Sequence, residues 1–221
     1  MGIRIILTGA TGLVGEGVLL ESIDNDQVDE VLIVNRKPYQ GENHPKLKEI
    51  IVNDFFSLEE ISDKLRGYDA CFYCAGVSSA GMKEDKYTYI THDTALHFAE
   101  TLAKINPDMT FCHISGSHTD SSEKGKVMWA RVKGKTENAL MRLPFKKVYN
   151  FRPGLMKPIK GQKNIKGYYK VISFSFPVFK VLMPNQVIYM HDVARAMINI
   201  VTKGYDKSVL KMTDVKILAG K

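Results

Sequence analysis

A strand-forming run that empties into three evenly spaced glycines and then into helix formers constrains this chain more than any other feature: ILTGATGLVGEGV, residues 6–18. A backbone that turns this tightly at Gly9, Gly12 and Gly15 comes close to whatever lies at the turn. It also aims the unpaired N–H groups and positive end of the following helix at it. The spacing is G-x-x-G-x-x-G instead of the tighter G-x-G-x-x-G, but the strand before and the helix after supply the setting that a pyrophosphate needs. Thr8, Gly9, Thr11, Gly12, Leu13 and Gly15 are the expected contacts, and a dinucleotide is the expected ligand.

Downstream the pattern keeps alternating. Ile3 to Leu7, Glu30 to Val34, Glu49 to Val52, Ala70 to Cys74, Thr110 to Ile114 and Val148 to Phe151 are short, nearly continuous apolar runs of the kind buried in a parallel sheet. Leu13 to Ile23, Leu58 to Leu65, Thr88 to Ile105, Val127 to Leu143 and Asp192 to Val201 carry helix-period apolar positions. This order predicts an α/β fold, a Rossmann-like doubly wound parallel sheet with helices on both faces. The period is lost after Gly154 in a stretch rich in lysine, glycine and aromatics. A segment this short cannot build its own core, so 155–186 is expected to be a small C-terminal cap, a substrate lid on a single domain spanning 1–221. Its aromatic run GYYKVISFSFPVFKVLMP reads as part of that lid instead of a membrane-surface helix, because Pro177 would kink such a helix.

After the second strand, a dinucleotide without a 2′-phosphate would require an acid on its ribose hydroxyls. The chain offers Asn35, Arg36 and Lys37. Two cations in place of an acid favour NADP(H), with Arg36 against the 2′-phosphate and Lys37 in support, while NAD(H) stays possible.

The formal charge of +7 admits an anionic partner, but the lysines are scattered and lack the aromatic interleaving of a single-strand binder, so no nucleic acid is expected. Cys71, Cys74 and Cys112 are too few for a disulfide framework and lie in apolar runs. Cys71 and Cys74 form a C-x-x-C, yet on a strand, where positions three apart face opposite ways. No leader and no bilayer-length apolar span are apparent, so a cytoplasmic protein without stable membrane insertion is expected. His92 and His97 stand five apart on a helix, not the four that aligns two imidazoles, and no metal site is expected. His113 reads as a core histidine, and His191 as a residue that caps or packs, with Asp192 favouring the helix start.

TGATGLVG, Asp54, CAGVSS, Ser115, Lys133, RPG at 152–154 and HDVARA at 191–196 together resemble the short-chain dehydrogenase/reductase superfamily. Within it, the chain resembles the atypical NAD(P)-binding group of nucleoside-diphosphate-sugar-epimerase-like and TIP30-like proteins. The resemblance implies Asp54 near the adenine, Cys74, Ala75 and Gly76 along the cofactor, and Pro153 and Gly154 shaping the nicotinamide pocket. It also implies a serine orienting the substrate carbonyl, a tyrosine donating its proton and a lysine four residues later holding the ribose. Ser115 and Lys133 match, but Trp129 stands where that tyrosine belongs.

An indole N–H can donate a hydrogen bond but does not give up its proton near neutral pH. Either another donor, such as Ser115 or Ser117 with His118 relaying, supplies the proton, or the site keeps binding and has lost chemistry. The first reading is an NADP(H)-dependent oxidoreductase acting on a small carbonyl substrate with altered acid catalysis, with Ser115, Lys133 and Trp129 in its catalytic cluster. The second is a non-catalytic NADP(H)-binding regulator or redox sensor that recruits a protein partner.

Overall fold

In a computed structural model, which describes residues 2–165, 176, 177, 179 and 182–221, strands and helices alternate from the first residues onward. The first half contains β1 (Ile3–Thr8), α1 (Leu13–Ile23), β2 (Val28–Asn35), β3 (Leu47–Ile51) and β4 (Ala70–Tyr73). A longer helical segment follows, α2 (Glu84–Thr88) and α3 (Thr94–Ile105), joined by a π turn over Tyr89–Asp93 in which the Thr94 hydroxyl donates to the Tyr89 carbonyl at 2.9 Å. Then come β5 (Thr110–Ile114), α4 (Met128–Leu140), β6 (Lys147–Phe151), β7 (Leu155–Lys157), β8 (Val187–Tyr189), α5 (Met190–Lys203), β9 (Val209–Leu210) and α6 (Met212–Leu218).

Side chains that alternate along the strands sort into two cores. Ile5, Leu7, Val31, Ile33 and Phe72 face α1 and α5, while Ile6, Leu32, Val34, Cys71 and Tyr73 face α3. Period-two alternation therefore feeds both faces, and strands covered on both sides read as unbroken apolar runs. On α5 the buried positions Met190, Val193, Ala194 and Met197 repeat at helical spacing. The helix stops at Gly204, whose φ of 72° suits a residue without a Cβ and whose N–H returns to the Ile200 carbonyl at 3.0 Å.

The main sheet is parallel throughout, in the order β3-β2-β1-β4-β5-β6-β9. Because β1 lies between β2 and β4, chain direction across the sheet reverses there, and a crevice opens at the carboxyl ends of those strands, where such sheets bind ligands. The six sequence-read strands correspond to β1–β6. The two-residue β9, the three-residue β7 and β8, which pair in parallel, and the seven-residue α6 are additions too short to show a period. The segment Leu58 to Leu65 is tightened into a 3₁₀ helix over Glu59–Leu65, and the helix expected from Thr88 begins earlier, at Glu84. Of the lid region 155–186, the stretches 166–175, 178 and 180–181 lie outside the described residues, and with them most of the aromatic run.

Candidate functional site

The turn after β1 is a cradle with no room for a side chain at Gly9 or Gly15. Gly9 has φ 75°, and a Cβ there would meet the Cys74 carbonyl and Ala75 nitrogen at 2.7 Å. A Cβ on Gly15 would run into the Gly9 carbonyl at 2.1 Å. The crossing is secured by the Gly12 N–H donating to the Gly9 carbonyl at 2.9 Å and the Ala75 N–H donating to the buried Thr8 hydroxyl at 3.2 Å. Gly12 is the N-cap of α1 and brings no side chain to the helix start, which leaves the first-turn amides free for an anion.

Two adjoining clefts flank this turn. The first, of about 840 Å³, is lined by Gly9, Thr11 and Gly12 from the turn, by Asn35, Arg36 and Lys37 after β2, and by Cys74, Ala75 and Gly76 after β4. Arg36 and Lys37 are exposed and take part in none of the ion pairs among the described residues, so both charges are free for a ligand. Asn35 is buried, and its amide donates to Glu49 Oε1 at 3.1 Å, an oxygen that also receives the Tyr39 N–H at 2.9 Å. The Glu49 contact therefore orients the loop that carries the two cations.

The second cleft, of about 680 Å³, shares Thr11, Gly12 and Cys74 to Gly76 with the first and adds Leu13, Ser115 and Lys133. Ser115 is buried at the end of β5. Its N–H donates to the Phe151 carbonyl at 2.8 Å, and its hydroxyl shares a 2.9 Å hydrogen bond with Thr119. Lys133 is half-buried on α4, and loss of water around its ammonium lowers its pKa to about 8, against a smaller opposing pull from the Glu137 carboxylate. Beneath it, His113 is buried against Asn150 at 3.0 Å, and burial together with the Lys133 charge lowers its pKa to about 3. The imidazole is thus neutral at physiological pH and packs in the core.

Several expected residues sit elsewhere. Trp129 and Lys133 both lie against Gly116, but only Lys133 lines the second cleft. Asp54 is exposed and turned onto its own backbone, accepting the Phe56 and Ser57 N–H groups at 2.8 and 2.9 Å, whereas Asn53 and Phe55 on either side of it line the first cleft. Pro153 and Gly154 follow β6 outside both linings. Gly154 is held so close to the Gln186 carbonyl that a Cβ would lie 2.4 Å from it. Ser117 and His118 hydrogen-bond to each other at 2.9 Å and line a separate 220 Å³ cavity with Arg152 and Lys211. Cys71 and Cys74 pack on opposite faces of the sheet, and burial raises both thiols, so neither is poised as a thiolate. His191 stacks on Tyr189 with ring centroids 5.2 Å apart and does not cap α5.

Asn164, which lines both clefts, and Lys163 went unread in the sequence because nothing periodic marks KGQKNIKG. As a whole, the site accommodates an extended anionic ligand, with bare amides at its middle, free cations at one end and a hydroxyl beside an amine at the other.

The family model described as NAD dependent epimerase/dehydratase family matches residues 5–126. Similar curated proteins include Leucinostatins biosynthesis cluster protein T of Purpureocillium lilacinum, 31% identical over 142 residues, which cover 63% of this chain and 52% of that protein. Protein HTATIP2 of Rattus norvegicus is 27% identical over 154 residues, covering 69% and 62%. The chain therefore spans between about half and two thirds of the length of these relatives. Among solved structures, the Bordetella bronchiseptica enzyme WbmF in complex with NAD+ superposes with a TM-score of 0.67 at 14% identity, over 99% of this chain and 77% of that one. UDP-N-acetylglucosamine 4-epimerase from Methanobrevibacter ruminantium superposes with a TM-score of 0.68 at 17% identity, over 95% and 76%. These neighbours share the fold, and since the family model covers more than half of the sequence, the chain belongs to the NAD dependent epimerase/dehydratase family.

Proposed function

We propose that the protein is an NADP(H)-dependent oxidoreductase of the cytoplasm acting on a small carbonyl substrate. The observation that carries this reading is the shared lining of the two clefts: the turn that would cradle a pyrophosphate opens on one side to Arg36 and Lys37 and on the other to Ser115 and Lys133. The residues fit the dinucleotide, because the cradle is closed to any Cβ at Gly9 and Gly15 and the two cations have no carboxylate partner among the described residues. WbmF was solved with NAD+ and with NADH; the basic loop after β2 is what argues for the 2′-phosphorylated form here.

Bound there, the nucleotide would supply the reducing equivalents. The chain's own residues do the rest. The hydroxyls of Ser115 and Thr119 share one hydrogen bond in which either can donate; with Thr119 as donor, the Ser115 proton is left for a substrate carbonyl oxygen, and Lys133 in the same cleft lining holds positive charge, where negative charge develops. The segment 155–186 serves as the substrate lid of a single 1–221 domain. Trp129 at the proton donor's place favours a second reading, a nucleotide-occupied regulator without turnover that recruits a protein partner.

Single-turnover mixing with NADPH and a panel of aldehydes and ketones separates the two, provided calorimetry first registers nucleotide binding. Oxidation of NADPH that disappears in Lys133→Ala supports the enzyme. Binding without oxidation across the panel leaves the regulator, and no heat with NADPH or NADH ends both readings.

A further inference from the structure

The first cleft is built almost wholly from the first third of the chain. Every residue in its lining lies between Gly9 and Gly76 except one, Asn164. The strap that delivers Asn164, residues 158–165, reaches the start of α1 across nearly 150 positions of sequence and is fastened there by unusual means. Glu16, in the first turn of α1, is 1% exposed, yet its carboxylate pairs with no cation among the described residues. One oxygen accepts the Lys163 N–H and the other the Asn164 N–H, both at 2.8 Å. A carboxylate this buried is tolerable only when such bonds satisfy it, so the strap and the helix start stabilise each other. Gln162 adds a second fastening, its amide donating to the Leu13 carbonyl at 2.6 Å and its carbonyl receiving the Ile159 N–H at 2.8 Å.

The strap also touches the opposite lip. The exposed Lys163 ammonium donates to the Gln40 carbonyl at 3.4 Å, a long and weak bond to the loop that bears Arg36 and Lys37. Gln40 and Asn164 line the same cleft, and Lys163, Asn164 and Ile165 line the other. Lys163 belongs to none of the ion pairs among the described residues. A phosphate would be a far better partner for it than a lone carbonyl.

We propose that residues 158–165 form a clasp over the bound dinucleotide, latched to the pyrophosphate helix by Glu16, and that Lys163 supplies a third cation to the nucleotide phosphates. The clasp must part for the nucleotide to enter or leave, so Glu16 is a positioning residue whose effect falls on the exchange rates. Lys163 touches the ligand itself. This rests on the dinucleotide reading of the cleft.

Stopped-flow release of NADPH, followed by the nucleotide's own fluorescence, tests the clasp in wild type, Glu16→Gln, Gln162→Ala and Lys163→Ala. Glutamine keeps the shape of Glu16 but accepts through only one oxygen, so release should quicken about tenfold, and association, which must part the same latch, should quicken with it. Gln162→Ala should act in the same direction, which keeps the test open if Glu16→Gln folds poorly. Lys163→Ala should weaken NADPH about tenfold, with Lys163→Arg restoring most of the loss. In wild type, NADPH should protect the bonds after Lys160 and Lys163 from trypsin. Variants that bind and release NADPH as wild type does, with no protection of the strap, overturn the clasp and leave the dinucleotide site standing. A wild-type chain that binds neither NADPH nor NADH removes both.

Discussion

Trp129 and Lys133 meet over Gly116: a methyl group on that glycine would lie 3.6 Å from Trp129 Cζ3 and 3.7 Å from Lys133 Cδ. The indole and the lysine stem therefore share one face of α4 and one surface of the turn after Ser115, one helical turn apart. A phenol placed at 129 would enter the same neighbourhood with a proton that it can give up. Trp129→Tyr is expected to raise single-turnover reduction of a carbonyl panel by up to ~10²- to 10⁴-fold, the usual worth of a positioned acid. A Trp129→Phe control should not gain. If tyrosine gives no more than phenylalanine, position 129 does not reach the reacting oxygen.

The same indole is a reporter, being the only tryptophan in the chain. A nicotinamide beside Lys133 would lie close enough to Trp129 to quench its emission. Saturating NADPH should lower that emission, and an unchanged spectrum would displace the nicotinamide from the Lys133 end of the cleft.

Lys133 makes the site sensitive to pH in a range where most lysines do not titrate. Its native pKa is lowered from 10.5 to about 8, chiefly by loss of water, so it is charged below that value and neutral above it. Affinity for NADPH and any turnover should hold roughly between pH 6 and 7.5 and fall as pH rises through about 8. The effect on the fold has the opposite sense. Between about 8 and 10.5 the unfolded chain keeps a proton that the native chain has lost, so this group makes the protein more stable as pH rises across that window. Lys133→Met should abolish both trends and raise the melting point of the nucleotide-free protein by roughly 4–8 °C, equivalent to about 2 kcal/mol of relieved charge burial after discounting for the partial exposure of the side chain. A flat profile through pH 8 in wild type would show that the amine is hydrated.

The sequence made the sheet legible wherever burial on both faces leaves an unbroken apolar run, as in β1, β2 and β5, and it made the glycine cradle legible because close approach dictates residue type. Elements held by other means escaped. β9 and α6 are shorter than any detectable period. The strap at 158–165 is held by side chains bonded to backbone across nearly 150 positions of sequence, a relation that no local pattern carries. Asp54 shows how fine the limit is. The loop after β3 does enter the cleft, but through Asn53 and Phe55, while Asp54 closes a tight turn by accepting the Phe56 and Ser57 N–H groups.

Selectivity between the two nicotinamide dinucleotides should reside in Arg36. Its guanidinium lines the first cleft and has no carboxylate partner among the described residues, so the 2′-phosphate of the proposed ligand would find a planar cationic fork ready to receive it. Arg36→Ala should weaken NADPH by about 10- to 100-fold and NADH by much less, a loss that titration calorimetry reads directly. Equal losses for both nucleotides would assign Arg36 to the shared part of the ligand.

One turn beyond Lys133, Glu137 is fully buried, and both of its oxygens receive Arg152: Nε at 2.9 and 3.2 Å and Nη2 at 2.5 Å. Arg152 is nearly as buried, with 11% of its side chain exposed, so the pair that joins α4 to the end of β6 is only weakly screened by solvent. Removing one partner leaves the other charge stranded. Glu137→Ala should cost about 3–5 kcal/mol and lower the melting point by roughly 6–20 °C, whereas Glu137→Leu combined with Arg152→Met should recover most of the loss, because neither charge then remains to be buried. The carboxylate also opposes the downward shift of Lys133, so a folded Glu137→Gln should move the pH limit of NADPH binding below its wild-type position. A Glu137→Ala variant as stable as wild type would mean that water reaches Arg152, and a Glu137→Gln variant with an unmoved limit would mean that the Glu137 carboxylate does not act on the Lys133 ammonium.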